Sequence, residues 1–257
     1  MRKYYFISVI MVLNRARNRL FSGAGGLLAL LAAGLCCTGA VVSAADPATI
    51  WCGPASEHEV ALTFDDGPSP TYTCQILSLL KKYHVKATFF VLGRKVEQYP
   101  QVIKTMLQEG HEVGNHTYDH PCLTKVDEQE RERELERTDL DLDMLGCPQN
   151  CQLIRPPYSA FDDRLVAYLK HTRRAVALWN LDSGDWRGLD ADTIVHNVLD
   201  RVKNGSIIIF HDSDEKDQAD RRPTVAALKV ILPTLQARGY RMVTVSEMAL
   251  RLKRCSK

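Results

Sequence analysis

The stretch Glu59-Val-Ala-Leu-Thr-Phe-Asp-Asp-Gly67 decides how the rest of the chain is organised. Its first six residues are mostly apolar or β-branched, which predicts a buried strand at residues 59–64. Two adjacent carboxylates, Asp65 and Asp66, stand where this strand ends. An Asp-Asp-Gly sequence after a strand is most often a turn, because Asp and Gly suit tight backbone geometry. The pair therefore gains a chemical interpretation only from the residues that follow it.

Two histidines occur about fifty residues later, in His116-Thr-Tyr-Asp-His120. On a helical turn, this spacing of four would place both imidazoles on one face. With Asp66 they would supply three metal ligands and leave a coordination position open for water. Asp65 would then lie beside the metal, free to take a proton from that water. The combination indicates a hydrolytic metal site.

The chain alternates between strand-like and helix-like segments with short connections. Strands are predicted at residues 59–64, 85–92, 111–114, 175–181, 206–210 and 241–245, and helices at 72–83, 100–109, 127–145, 165–170, 191–203 and 224–238. This alternation predicts an α/β fold with a parallel sheet, either open or closed. The Glu/Arg face of the charged helix at 127–145 is interpreted as solvated surface.

Three further motifs each lie where an apolar run gives way to polar sequence: Arg155-Pro-Pro-Tyr-Ser159, Asp182-Ser-Gly-Asp-Trp186 and Ile207-Ile-Ile-Phe-His-Asp212. With all five motifs in this order, the chain resembles the polysaccharide deacetylase family (carbohydrate esterase family four, with the nodulation-type chitooligosaccharide deacetylases). The resemblance extends over about residues 59–247, and the first two motifs are its most specific part. It implies a distorted, incomplete (β/α) barrel.

The resemblance implies a role for each residue at the metal. Asp66, His116 and His120 are expected to hold a divalent metal, usually zinc. Asp65 is expected to be the general base, with Arg155 as its ion-pair partner. The alternative for Arg155 is an ordinary surface salt bridge, which the rigid Pro-Pro pair after it disfavours.

The resemblance also implies the groups that surround the substrate. The backbone N–H of Tyr158 is expected to donate to the tetrahedral oxyanion. His211 is expected to act as the general acid that protonates the leaving amine, and Asp185 to tune it. Trp186 and Ile209, together with Tyr158, are expected to contact the substrate, the first two as apolar walls around the acetyl methyl. Plain core packing is the alternative for Trp186 and Ile209.

The chain departs from the family pattern at two positions. Ser159 stands where the third motif commonly ends in Gly, so a positive φ there would strain the loop. Ile209 stands where Leu is usual, a mild change in the shape of the pocket. The charged residues 213–222, just after the expected acid, are predicted to form a mobile lip over the cleft.

The N-terminal residues have the pattern of a targeting segment. Residues 14–19 are basic, residues 27–42 are apolar, and Val42-Ser-Ala44 resembles a signal-peptidase site. A signal peptide at residues 1–44 is therefore predicted, with translation from Met11 as a shorter variant and an uncleaved membrane anchor as the alternative. The predicted division continues with a lead-in at 45–58, a catalytic domain at 59–250 and a tail at 251–257.

The charge balance disfavours nucleic acid as a partner. The whole chain has a formal net charge of +2, but residues 1–44 hold five Lys/Arg and no Asp/Glu. The remainder therefore carries 28 basic and 31 acidic residues, a net charge of −3, with no basic footprint for nucleic acid. The expected partner is a polysaccharide or oligosaccharide substrate. Membrane contact is expected only if the N-terminal segment stays attached, and the oligomeric state is left open.

Six cysteines follow residue 44: Cys52, Cys74, Cys122, Cys147, Cys151 and Cys255. An even number in an exported protein predicts disulfides. Cys147 and Cys151 flank Pro-Gln-Asn and are candidates for a local pair. A zinc–cysteine site is the alternative, which the absence of any C-x2-C sequence disfavours.

Taken together, the residues and the resemblance predict an exported, periplasmic or secreted, metal-dependent hydrolase. Its expected substrate is an N-acetylglucosamine-containing polysaccharide, either chitin oligomers or peptidoglycan. The alternatives are an O-acetyl polysaccharide esterase, since the same groups would serve either bond, and a catalytically silent saccharide-binding protein of the same fold.

Overall fold

A computed structural model describes residues 49–147 and 153–255, all of them within the compact unit Ala44–Lys257. The strands are β1 (Thr49–Ile50), β2 (Glu59–Gly67), β3 (Thr88–Val91), β4 (Glu112–Asn115), β5 (Leu153–Ile154), β6 (Ala175–Ala177), β7 (Leu181–Asp182), β8 (Ser206–His211) and β9 (Arg241–Met242). The helices are α1 (Tyr72–Lys82), α2 (Gly93–Gln98), α3 (Pro100–Gln108), α4 (Glu128–Met144), α5 (Asp163–His171), α6 (Ala191–Leu199), α7 (Arg222–Ala237) and α8 (Val245–Cys255). Short 3-10 turns span Pro157–Ser159 and Asp185–Arg187.

The strands form one curled sheet in the order β1-β6-β5-β4-β3-β2-β8-β7, with β9 paired to the start of β2. Every pairing is parallel. The two ends of the order, β1 and β7, do not pair with each other within the described residues. The sheet is therefore an incomplete (β/α) barrel, and the predicted fold class is confirmed.

Strand β2 lies at the centre, and all nine of its residues are buried. One set of alternate side chains packs outwards against α1 and α7: Val60, Leu62 and Phe64. The other set faces the barrel interior, beginning with Ala61, which packs in a smaller inner core with Ile207 and Phe90. Apolar side chains on both faces are typical of a parallel strand covered by helices. Towards the carboxyl end of β2, the inner set changes to Thr63 and Asp65, where the site begins.

Helix α8 closes the amino-terminal end of the barrel. The N–H of Val245 donates to Thr88 Oγ1, and the N–H of Ser246 donates to the Glu112 carboxylate. The candidate site residues lie at the opposite end of the barrel, at the carboxyl ends of the strands, as in other parallel barrels.

Several predicted boundaries differ from the observed elements. The predicted strand at 175–181 is two short strands, β6 and β7, that pair with different neighbours. Helix α8 continues across the predicted boundary at residue 250, and β1 lies inside the predicted lead-in. Residues 1–44 lie outside the described residues, so the division into signal and catalytic domain stays a prediction. Within the described part of the chain, no helix is long and apolar enough to span a bilayer.

The cysteines do not all pair as expected. Cys52, Cys74 and Cys122 are free thiols, so the expectation that all six form disulfides is wrong for these three. They lie on separate elements, and the Cys122 Sγ contacts the Thr124 hydroxyl at 3.3 Å instead of a second sulfur. Cys147 is disulfide-bonded. Its predicted partner, Cys151, lies outside the described residues.

Candidate active site

A β-bulge at the end of β2 brings both adjacent carboxylates into the cleft. Asp65 is in register with Phe90 and Gly67 with Val91, so Asp66 is an extra residue in the pairing with β3. Its φ of 73° is in the left-handed region. Strict alternation would send adjacent side chains to opposite faces of the sheet. The bulge re-aims Asp66 to the same side as Asp65.

Buried Asp212 packs against the bulge at Gly67. A Cβ on Gly67 would overlap the Asp212 carboxylate, so a larger residue at that position would have to displace Asp212. Thr73 Oγ1 donates to Asp212 and also accepts the N–H of Ser69 at 2.7 Å, which ties the loop after Asp66 to α1. Burial raises the pKa of the Asp212 carboxyl to about 7. The sequence places Asp212 in a motif but gives no signal for this supporting contact.

The two histidines lie in an extended loop after β4, so the expected helical turn is wrong. Both Thr117 and His120 have positive φ, at 73° and 67°. Buried Glu134 holds the loop because its carboxylate accepts the N–H groups of Tyr118 and Asp119, each at 2.8 Å. The interpretation of the Glu/Arg face of α4 as solvated surface is therefore wrong at Glu134. The loop brings both imidazoles together by its backbone conformation instead of by helical spacing.

Asp66, His116 and His120 form one cluster with ligand atoms within 4.8 Å of one another. Asp66 Oδ1 lies 3.4 Å from His116 Nε2 and 3.3 Å from His120 Nε2. This oxygen is buried and has no hydrogen bond within the described residues. Burial would raise the pKa of Asp66, but interactions with His116 hold it well below the usual range. Burial and the charge of His116 lower the pKa of His120.

The His116 ring is held in place by a hydrogen bond from its Nδ1 atom to a backbone carbonyl. His116 Nδ1 lies 2.5 Å from the carbonyl oxygen of Arg155, which can only accept, so Nδ1 carries the proton. In the neutral imidazole, Nε2 is then the unprotonated nitrogen, and it faces Asp66. A histidine that binds a metal through one ring nitrogen typically donates a hydrogen bond from the other nitrogen, as His116 does here. Two nitrogens and one carboxylate oxygen that lacks a partner suit a divalent metal.

Asp65 is paired with the fully buried Arg155. Arg155 Nη1 donates to Asp65 Oδ1 at 2.7 Å and to Thr63 Oγ1 at 2.8 Å. Its Nε and Nη2 atoms donate to the carbonyl oxygens of Ala177 and Leu178. Because its contacts fix the guanidinium in one position, Arg155 orients the Asp65 carboxylate and is no surface salt bridge.

His211 and Asp185 form a second ion pair on the other side of the cleft. His211 Nδ1 lies 2.8 Å from Asp185 Oδ1. The other Asp185 oxygen accepts the His211 N–H at 2.8 Å and the Thr224 hydroxyl at 2.9 Å. Burial would lower the pKa of His211, but the charge and hydrogen bond of Asp185 raise it to about 9. His211 is in register with Asp65 on neighbouring strands, so the two groups face the same cleft.

Tyr158 and Ser159 lie in a turn with left-handed backbone. Their φ values are 59° and 52°, so the serine does occupy a position of positive φ that favours glycine. The Tyr158 side chain is 64% exposed, and its hydroxyl lies 3.2 Å from His120 Nδ1. The turn therefore brings Tyr158 to the mouth of the metal cluster.

Trp186 and Ile209 differ in their surroundings. Ile209 is buried in β8, on the cleft side of the sheet beside Thr63, and belongs to none of the three core clusters of the described residues. Trp186 is 55% exposed, and its indole N–H lies 3.3 Å from Asp182 Oδ2. Plain core packing is therefore excluded for Trp186 by its exposure.

Residues 213–222 are anchored to the body of the protein, in contrast to the predicted mobile lip. Buried Lys95 donates to Ser213 Oγ at 2.7 Å and to the carbonyl oxygen of Asp214 at 2.6 Å. Arg221 Nε donates to the carbonyl oxygen of Ser213 at 2.9 Å. The segment is thus a fixed wall of the cleft.

Comparison with known proteins places this geometry in a family. The family model described as polysaccharide deacetylase matches residues 53–176. A peptidoglycan-N-acetylglucosamine deacetylase of Bacillus cereus is 40% identical over 198 residues, which cover 76% of this chain and 70% of the relative. The chain belongs to the polysaccharide deacetylase family. Its relatives in this family are hydrolases that act on amide bonds, and the chain is an enzyme of that class.

Other polysaccharide deacetylases support the same assignment. A chitooligosaccharide deacetylase of Sinorhizobium fredii is 39% identical and covers 70% of this chain and 87% of its own length. The crystal structure of the Bc1960 peptidoglycan N-acetylglucosamine deacetylase has a TM-score of 0.73 and 40% identity, covering 77% of this chain and 91% of that one. A similar structure at 27% identity and TM-score 0.72, from Bacillus anthracis, is described as a pseudoenzyme; it covers 79% of this chain and 69% of that one. Similarity of fold alone therefore does not distinguish active members from inactive ones.

Proposed function

We propose that this chain is an exported, zinc-dependent N-deacetylase that acts on N-acetylglucosamine-containing polysaccharide. The observation that carries the proposal is the arrangement of two ion pairs, Asp65–Arg155 and His211–Asp185, around one candidate metal cluster. A silent member of the family would have no need to keep a buried carboxylate without a hydrogen bond between two imidazoles, because such an oxygen is costly.

Asp66, His116 and His120 are the residues that would hold the metal. Their two nitrogens and one oxygen would leave a further position for a ligand, as in catalytic zinc sites. The chemistry that a divalent ion supplies in such a site is activation of water and polarisation of a carbonyl oxygen. Zinc is proposed over magnesium or calcium because imidazole is a poor ligand for the latter two.

The remaining groups account for hydrolysis of the amide. Asp65, held by Arg155, takes the proton of the attacking water as the C–O bond to the acetyl carbon forms. The backbone N–H of Tyr158 donates to the developing oxyanion. His211 gives its proton to the departing nitrogen as the C–N bond breaks, which leaves acetate and a free amine. Asp185 keeps His211 protonated until that step.

The substrate walls follow from exposure and position. Trp186 and Tyr158 carry exposed aromatic side chains, which are suited to a sugar ring and its acetyl group. Ile209 would contribute an apolar surface from the cleft side of β8, beside Thr63. The peptidoglycan and chitooligosaccharide deacetylases among the relatives make N-acetylglucosamine polymers the proposed substrate class.

Export is proposed from residues 1–44, which carry the pattern of a signal peptide. The catalytic domain would then begin within the lead-in at 45–58 and extend to the end of α8. The pairing of Cys147 with Cys151, which is proposed from their spacing, would be consistent with an oxidising location.

Acetate release tests the proposed function. Purified protein, stripped of metal and then reloaded with zinc, is assayed on chitooligosaccharides, peptidoglycan fragments and acetylated xylan. The expected result is zinc-dependent acetate release from the first two and little from the third. Faster release from acetylated xylan would support an O-acetyl esterase, and no release from any substrate would support a binding protein.

A further inference from the structure

Three polar atoms meet on the side of His120 that faces away from the metal cluster. His120 Nδ1 lies 3.2 Å from the Tyr158 hydroxyl and 3.4 Å from Glu215 Oε2. The same two partners lie 3.5 Å from each other. The Glu215 side chain is 40% exposed, so its carboxylate lies at the rim of the cleft.

The hydrogen bonds that start at His120 Nδ1 end at the Glu215 carboxylate. His120 Nε2 faces Asp66 and must be unprotonated to bind a metal, so Nδ1 carries the proton and acts as a donor. Its N–H donates to the Tyr158 oxygen, and the Tyr158 O–H donates to Glu215. An ionised carboxylate can only accept. The Glu215 carboxylate is therefore the final acceptor of this relay, and it lies 3.4 Å from His120 Nδ1 as an ion-pair partner.

The wall at residues 213–222 is built to hold Glu215 in this place. Arg94 donates to the backbone carbonyl of Glu215 itself. Buried Lys95 binds the segment on both sides of Glu215, at Asp214 and at Asp217. Two cations from α2 thus fix a segment that sequence predicted to be mobile. The exposed Lys216 ammonium, 3.7 Å from Glu215 Oε1, leaves the Oε2 atom directed at His120.

We propose that Glu215 is a positioning residue that orients the metal ligand His120 and fixes its tautomer, through the hydrogen-bonded Tyr158 hydroxyl and its own ion-pair contact with His120 Nδ1. The inference rests on the proposed function, since it gives His120 the role of a metal ligand. Carboxylate partners of this kind raise the basicity of a ligating imidazole, and their loss typically weakens metal affinity 10- to 100-fold. His116 has the backbone carbonyl of Arg155 in the equivalent place.

The test is a zinc competition titration, with a chromophoric chelator, on wild type and four variants (Glu215→Ala, Glu215→Gln, Glu136→Ala and Tyr158→Phe) that have been stripped of metal. Glu215→Ala is expected to weaken zinc binding by about 10- to 100-fold. Glu215→Gln, which keeps an acceptor but no charge, is expected to lose several-fold less. The control Glu136→Ala removes an exposed carboxylate from α4 and is expected to bind zinc like wild type. Thermal melts of the metal-free proteins check that each variant folds.

Each alternative result has a distinct meaning. Equal zinc affinity for Glu215→Ala and wild type, with both folded, overturns the role of Glu215. Tyr158→Phe that weakens zinc binding while Glu215→Ala does not would show that the tyrosine alone holds His120, which also overturns it. A wild-type protein that binds no zinc at all contradicts the proposed function itself, and is thereby distinguished from failure of this inference.

Discussion

Asp65 and Asp66 face the same cleft although they are adjacent residues of one strand. The bulge in β2 turns Asp66 to the side of Asp65, and the two carboxylates then have different neighbours. Asp65 receives the Arg155 guanidinium at 2.7 Å, whereas Asp66 Oδ1 faces two imidazoles and has no hydrogen bond in the described structure. A carboxylate oriented by a guanidinium suits a base, and a carboxylate without a hydrogen bond between two imidazole nitrogens suits a metal. Asp65 is therefore suited to act as the base, and Asp66 is suited to bind the metal.

The first prediction concerns the acid. His211→Ala is expected to slow N-deacetylation far more than hydrolysis of an activated aryl acetate, because an amine leaves poorly without a proton whereas an aryloxide does not. Acetate release from both substrates is measured on variants with confirmed metal content. Equal losses on amide and activated ester would show that His211 orients the substrate instead of protonating it.

The pH profile tests the partner of that acid. Asp185 raises the pKa of His211 to about 9, and a general acid works only while protonated, so wild-type activity falls as the pH rises through this range. Asp185→Asn removes the charge that raises the pKa. The alkaline limb of kcat is therefore expected to move to lower pH. Asp200→Asn, which removes an exposed acid beside His196, serves as the control and should keep the wild-type limb. An unmoved limb in Asp185→Asn would contradict this account.

The backbone of the third motif gives a stability prediction. Ser159 has a φ of 52°, which costs a residue with a side chain roughly 1–2 kcal/mol. Ser159→Gly removes this strain but adds flexibility to the unfolded chain, worth about 0.5–1 kcal/mol in the other direction. The variant is expected to gain up to about 1 kcal/mol in urea unfolding. Ser78→Gly, inside α1, is the matched control and should lose stability. A loss for Ser159→Gly would show that its side chain makes a contact worth more than the strain.

The sequence predicts the sheet and most candidate site residues because the chemically important side chains lie directly at the ends of predicted strands. Apolar runs that end in Asp65, Arg155 and His211 are strand ends, and parallel strands bring their carboxyl ends together. The alternation of strands and helices thus predicted a parallel α/β fold, and the family resemblance carried by the motifs implied the incomplete barrel and the candidate site residues. Once Asp65, Arg155 and His211 are assigned to strand ends, the parallel sheet brings them to the same edge.

The rest depends on tertiary contacts that leave no pattern in the chain. The histidine loop is held by Glu134, a member of a run of charged residues that otherwise has the composition of a solvated helix. Asp212 and Glu215 act through contacts with residues at least 90 positions away in the sequence, such as Thr73 and His120. The left-handed φ of Asp66 and His120 is imposed by these neighbours, since neither residue type requires it.

Asp212 yields a prediction on the pH dependence of stability. Burial raises its pKa from 3.8 to about 7, so the folded protein holds this proton more tightly than the unfolded chain does. The native state therefore loses stability as the pH rises from 3.8 to about 7. In Asp212→Asn this contribution is expected to disappear. Urea unfolding of the metal-free proteins at pH 5 and pH 8 measures it, because groups common to both proteins cancel. The same change between the two pH values in wild type and variant would contradict the prediction.

The division of labour between Asp65 and Asp66 is tested most directly by one paired measurement. Zinc content and acetate release are determined together for Asp65→Asn and Asp66→Asn. Asp65→Asn is expected to keep stoichiometric zinc and to lose roughly 10²- to 10⁴-fold in turnover, since only the base is removed. Asp66→Asn is expected to lose the metal and the activity together. Loss of zinc in Asp65→Asn with zinc retained in Asp66→Asn would contradict the account and reverse the two roles.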